Sequence, residues 1–164
     1  MSSQTYLLDT NCIIEAVDTG VWPAITGGLT IETVEECRAE CGRGDRLSSG
    51  YVTVSDADID RMTAIHPVSG DEVAGLILFD GAAALDPGER DLFAHALSRP
   101  DNAWVIASPD RASVRLAVEL DWGGRLLSLE QLVDKVGARG RRPLREHFGT
   151  RWLSAVRTEI LLGL

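Results

Sequence analysis

Two apolar segments of this chain run into an acid in the same way. Tyr6-Leu7-Leu8 leads to Asp9, and Trp104-Val105-Ile106-Ala107-Ser108-Pro109 leads to Asp110. If both segments are strands of one parallel sheet, both carboxylates fall at its C-terminal edge, where open α/β sheets bind ligands. Two carboxylates gathered there repel each other, and burying them is costly without a neutralising cation. Hard divalent ions with oxygen ligands do this, and Mg²⁺ accepts a few carboxylates while keeping its waters. A carboxylate-held metal also activates water against a phosphodiester. The competing reading of Asp9 is a helix cap, since Asp-Thr-Asn precedes a helical pattern through Ile13, Ile14 and Val17. The matching strand end at Asp110 favours the ligand reading and leaves capping to Thr10 and Asn11.

Two further acids lie on helices that can face this edge. Asp86-Pro87-Gly88-Glu89 reads as a capping box with Pro in the first turn. At about 100° per residue, Glu89 shares a face with Leu92, Phe93, Ala96 and Leu97, whereas Asp91 lies opposite. Glu89 is therefore preferred, with Asp91 as alternate. In Thr30–Glu40 the apolar positions are Ile31, Val34, Cys37 and, one residue on, Cys41. Helical phase puts Glu35 nearer that face than Glu36, and Glu32 and Glu40 read as solvated acids.

These residues need a frame of alternating strands and helices. Strands are expected at 5–9, 51–54, 104–107 and, briefly, 126–128. Helices are expected at 11–18, 31–41, 56–66, 71–79, 86–97, 111–120, 129–136 and 150–162, with a loop through Trp22-Pro23 and Gly27-Gly28 and a Gly-rich loop at 42–45. Alternation of this kind predicts a parallel sheet with right-handed crossovers.

The 164 residues fit one domain with a sizeable core. No apolar run approaches the roughly 20 residues that span a bilayer, and Met-Ser-Ser-Gln-Thr lacks the features of an export signal. Three cysteines do not make a disulfide framework, and Cys37 and Cys41 lack partners in sequence for a zinc set. The expected location is a reducing cytoplasm. The three histidines, His66, His95 and His147, show no ligand spacing and read as surface residues.

The net charge of −9 is unevenly spread. Residues 1–134 carry 9 basic and 23 acidic side chains, and residues 135–164 carry 7 basic and 2 acidic. The expected organisation is a domain over 1–134 with a basic helical extension over 135–164, packed on or flanking it. Arg139, Arg141, Arg142 and Arg145, with Phe148 and Trp152 nearby, are candidates for binding a polyanion. The alternative is a partner-docking segment or a solvated helix face.

Taken in order, the motifs resemble the PIN-domain nucleases, a family that includes VapC-type toxins and ribosomal-RNA processing enzymes. The matching segments are Leu7-Leu8-Asp9-Thr10-Asn11, Thr33-Val34-Glu35-Glu36-Cys37, Leu85-Asp86-Pro87-Gly88-Glu89 and Val105-Ile106-Ala107-Ser108-Pro109-Asp110-Arg111. The resemblance covers roughly residues 5–133. It implies a three-layer α/β/α sandwich with a central, mostly parallel sheet. It implies a metal-dependent endoribonuclease that hydrolyses single-stranded RNA. Asp9, Glu36, Glu89 and Asp110 would be the catalytic metal ligands for Mg²⁺ or Mn²⁺, and Thr10, Asn11 and Ser108 would support them. The family register selects Glu36, with Glu35 as alternate. Implied partners are single-stranded RNA and, for a toxin–antitoxin pair, an antitoxin protein, with room for a homodimer and no membrane. The chain departs from the pattern at Pro109, where some relatives carry a second Asp, and in residues 42–84 and the basic tail.

Two other readings compete. A catalytically weak or inactive PIN-like module would act through protein or RNA binding. A phosphatase of another α/β fold would use the first-strand Asp as nucleophile, but it typically carries a second Asp two residues on, where this chain has Asn11.

Overall fold

The structure, a computed structural model, describes residues 3–43 and 51–164. Its centre is a parallel sheet of five strands, ordered β3-β2-β1-β4-β5. The strands are β1 (Thr5–Leu8), β2 (Thr30–Val34), β3 (Ala64–His66), β4 (Trp104–Ala107) and β5 (Leu126–Leu127). Strand β1 is central and pairs in register with both neighbours, Leu7 lying between Glu32 and Ile106. The chain builds outward from β1 to β3, then crosses back to place β4 on the other side of β1. The order of connection thus reverses between β1 and β4, which is where such sheets form a crevice.

The helices are α1 (Thr10–Thr19), α2 (Trp22–Gly28), α3 (Glu35–Cys41), α4 (Asp56–Ile59), α5 (Gly70–Leu76), α6 (Pro87–Ser98), α7 (Arg111–Glu119), α8 (Leu129–Val136) and α9 (Thr150–Leu161). Successive strand residues face opposite sides, so the sheet supports two cores. Tyr6, Leu8 and Ile31 pack with Ile13, Trp22 and Ile25 of α1 and α2, and with Leu129 and Leu132 of α8. Leu7, Val34 and Ile106 pack with Leu92 and Phe93 of α6, Val114 and Leu116 of α7, and Leu153 and Val156 of α9. The result is a three-layer α/β/α sandwich. Helix α9 is therefore continuous with the core of the rest. Among the described residues, no helix is long and apolar enough to cross a membrane.

Four expectations are corrected. Thr30–Val34 is a strand, and only Glu35–Cys41 is helical. The β-branched Thr30, Ile31, Thr33 and Val34 prefer an extended chain, and Thr33 Oγ1 fixes it by donating to the Leu8 carbonyl at 2.7 Å. Residues 51–54 are not a strand, and of the expected helix over 56–66 only Asp56–Ile59 is helical, while Ala64–His66 forms the third strand. The Trp22–Gly28 segment is a helix, with Pro23 in its first turn and Trp22 buried. The expected loop at 42–45 falls partly outside the described residues.

The basic tail is held by α1. Arg141 donates to the carbonyls of Val17 and Asp18. Arg142 pairs with Glu15 at 2.5 Å and with Asp18, and Arg145 Nε lies 3.5 Å from Glu15. Helix α1 has 10 residues, so its C-terminal end lies about 15 Å from its start. Three of the four candidate polyanion-binding arginines thus dock the tail at the end of α1 remote from Asp9. Glu15 is only 2% exposed, and a buried carboxylate that loses its partner is strongly destabilising. Arg142 itself is partly exposed, which moderates the effect. Arg142→Ala is expected to lower the unfolding free energy by about 1–3 kcal/mol, read from the urea midpoint. The exposed Arg139→Ala serves as comparison, and equal midpoints for the two would contradict the docking account.

Candidate metal centre

Three helices begin at the C-terminal edge of the sheet, each capped by an aspartate. Asp9 caps α1, Asp86 caps α6 and Asp110 caps α7. The positive ends of the helix dipoles make this a tolerable place for carboxylates. Asp9 is buried. Its Oδ1 accepts from Cys12 N at 2.9 Å, and its Oδ2 accepts from Ser108 Oγ at 2.9 Å. The Ser108 hydroxyl lies 3.0 Å from that of Ser113, so β4 and α7 fix the Asp9 carboxylate from the side. Asp9 therefore caps its helix itself, and this role does not pass to Thr10 and Asn11. Capping uses one oxygen lone pair and leaves others for a ligand.

Glu89 is buried beside it, 4% exposed. Its Oε2 accepts from Asp86 N at 3.3 Å, and Asp86 Oδ1 accepts from Glu89 N at 2.8 Å, the expected capping box. Among the described residues, Glu89 Oε1 is buried with no hydrogen-bond partner. Burial pushes the Glu89 carboxyl up to about 8, with the charges of Asp110, Asp86 and Asp9 adding to the effect. Burial likewise pushes Asp9 up to about 7, against its hydrogen bonds, with a further contribution from Asp86. Asp110 is half-buried at the rim, and its Oδ1 accepts from Ala112 N at 2.7 Å. Asp91, the alternate to Glu89, pairs with Arg90 at 2.9 Å.

The α3 acids divide differently from expectation. Glu35 is exposed, and Glu36 pairs with Arg43 at 2.7 Å. Glu40, read as solvated, instead accepts from Thr10 Oγ1 at 2.6 Å and from Gly88 N at 2.9 Å. A Cβ at Gly88 would overlap the Glu40 carboxylate, so this glycine is what lets α3 reach the start of α6. Counting phase from the true helix start finds Glu40. Relative to Cys37 and Cys41 it lies about 80° from the buried direction, against about 120° for Glu36. Asp86 was legible only as a cap. Asn11, a candidate supporting residue, is exposed.

The site is an acidic pocket of Asp9, Glu89, Asp110 and Asp86, braced by Ser108, Thr10 and Glu40. Among the described residues, the trio of ligand atoms that lie within 4.8 Å of one another is elsewhere, at Glu32, His66 and His95. Wide spacing suits a cation that keeps several waters, as Mg²⁺ does. The orphan Glu89 oxygen beside the buried Asp9 is the feature that fits a hard cation.

The fold and site define an α/β protein with a carboxylate pocket at its topological switch point. No protein-family model, curated protein or solved structure matches the chain.

Proposed function

We propose that the protein is a metal-dependent endoribonuclease of PIN type that hydrolyses single-stranded RNA, using Mg²⁺ or Mn²⁺ held by Asp9, Glu89 and Asp110. The observation that carries this reading is the unpartnered Glu89 Oε1 next to a buried Asp9. Two adjacent carboxylates with raised pKa values, one oxygen lacking a donor, form a site that lacks positive charge. A bound divalent ion supplies that charge, acidifies water and offsets the negative charge growing on a phosphodiester. Ser108 orients the Asp9 carboxylate through its hydroxyl. The Thr10–Glu40–Gly88 bridge locks the starts of α1 and α6 at fixed separation, which preserves the pocket's geometry when the acids repel. Glu36 takes no ligand role in this proposal, and Asp86 is the acid that takes its place beside Glu89.

Substrate contacts are assigned to a groove beside Asp110. Arg111, Arg151 and Trp152 line a cavity of about 510 Å³ together with Glu130, Glu146 and Glu159, and Arg111 pairs there with Glu159 at 2.6 Å. Arginines there offer phosphate contacts, and an indole offers a stacking face for a base. Arg111 follows Asp110 directly, so the groove opens next to the acids. In the toxin reading, a proteinaceous antitoxin is the partner that blocks this pocket.

The test is cleavage of an end-labelled, unstructured RNA by the full chain with Mg²⁺, with Mn²⁺ and with chelator. Cleavage that needs the metal supports the reading. Binding of the RNA without cleavage under every condition would replace it with the inactive binding module.

A further inference from the structure

The histidines expected on the surface do not lie apart. His66, at the end of β3, and His95, on α6, stack with ring centroids 4.2 Å apart and planes at 17°. Both rings face Glu32, whose side chain leaves β2 on the α6 side and is largely buried. His66 Nε2 lies 2.8 Å from Glu32 Oε2. The guanidinium of Arg99 stands where these donors converge. Its NH1 donates to Glu32 Oε2 at 3.0 Å and lies 3.3 Å from His95 Nε2. Arg99 has a second hold on Asp101, through Nε at 3.2 Å and NH2 at 3.0 Å.

We propose that Glu32, His66 and His95 form a second metal site, for a borderline transition-metal ion of the Zn²⁺ type, which Arg99 closes with its own charge when no ion is bound. Two imidazoles and a carboxylate suit Zn²⁺, Co²⁺ or Ni²⁺, and discriminate against Mg²⁺. The three ligand atoms already lie within 4.8 Å of one another. In a tetrahedral site with bonds of about 2.0–2.1 Å, ligand atoms are about 3.3 Å apart. Binding requires the two rings to turn out of their 17° stack, so that the in-plane lone pairs of both point at one ion, and requires Arg99 to withdraw.

A separate observation points to the same place. Glu72, on α5, lines the open cavity of about 430 Å³ in front of His66, His95 and Arg99. Its Oε2 is buried and has no hydrogen-bond partner among the described residues. It is the residue placed to add a second carboxylate to the set once an ion is bound. Arg99 leaves by pivoting on Asp101. The ion then ties β2, β3, α5 and α6 together, and it does so independently of the acidic pocket.

The test titrates the full chain with Zn²⁺ by calorimetry, with Mg²⁺ in excess to occupy hard-oxygen sites, and repeats it with Co²⁺ by visible absorption. One equivalent of Zn²⁺ is expected. His66→Ala and His95→Ala should each weaken it by about 100-fold or more, since even residues behind metal ligands are worth about 10- to 100-fold. Arg99→Gln should tighten it, because the competing cation is gone. This opposite sign does not arise from misfolding. Asp9→Asn should leave Zn²⁺ binding unchanged. Absence of stoichiometric binding in the presence of Mg²⁺ would overturn the proposal. So would unchanged binding in His95→Ala, weaker binding in Arg99→Gln, or loss of the site in Asp9→Asn.

Discussion

Glu89→Gln and Asp9→Asn are each expected to lower the proposed metal-dependent RNA cleavage by more than about 100-fold, the upper range for groups that merely orient metal ligands. Both substitutions keep side-chain shape and remove charge. In Asp9→Asn the amide oxygen still accepts from Cys12 N, so α1 remains capped, and the amide nitrogen meets the Ser108 hydroxyl. In Glu89→Gln the oxygen still accepts from Asp86 N, which preserves the capping box. A loss of activity in a folded variant therefore reports the missing negative charge. Ser108→Ala is a milder case. It removes one hydrogen bond to Asp9 and is expected to cost about 10-fold. Cleavage assays at saturating Mg²⁺ and at limiting Mg²⁺ separate weak metal binding from weak chemistry. Unchanged cleavage in both charge-removing variants would remove these residues from the mechanism.

The second large effect is on the stability of the metal-free protein. Asp9 moves from 3.8 to about 7 on folding, and Glu89 from 4.5 to about 8. The folded chain therefore holds more protons than the unfolded chain between roughly pH 4 and pH 8. Stability falls as pH rises through that window. A displacement like that of Asp9 corresponds to roughly 4 kcal/mol, and the coupled pair does not add up to twice that. Metal-free protein is thus expected to melt lower at about pH 8 than at about pH 5.5, by several degrees. Glu89→Gln should remove the Glu89 share of this pH dependence and leave the share of Asp9, whose shift comes mainly from burial. Its neutral amide removes the repulsion and places N–H groups near the orphan oxygen's position, close to Asp110 and Asp86. Mg²⁺ should stabilise wild type more at the higher pH, where the carboxyls need not release protons to bind it. A melting temperature independent of pH between these values, with wild type equal to Glu89→Gln, would contradict the charge-deficient pocket.

Much of the pocket was legible in the sequence because its parts are local. Asp9 and Asp110 end apolar strands, and Glu89 follows from the phase of one helix. Ser108 precedes Asp110 by two residues. What was not legible depends on where one element stops and another starts. Ile31, Val34, Cys37 and Cys41 fit a single helical face, so the turn from strand to helix at Val34 was hidden. With it went the true phase of Glu40 and the placement of Glu32 in the sheet. The Glu32–His66–His95 cluster joins Glu32 to residues 34 and 63 positions further on only through the parallel register and the α6 crossover. The tail arginines read as a free cationic patch, because pairing with Glu15 and Asp18 spans more than 120 positions. Spacing along the chain carries no sign of such a pairing.

Anomalous diffraction from crystals soaked in Mn²⁺ at about pH 8, above the titration of Asp9 and at that of Glu89, asks directly whether the acidic pocket holds a divalent cation. The account predicts a Mn²⁺ peak bonded to oxygens of Asp9 and Glu89, facing Asp110, that is absent from crystals of Glu89→Gln. An empty pocket at saturating Mn²⁺, or a peak confined to Glu32, His66 and His95, would contradict it.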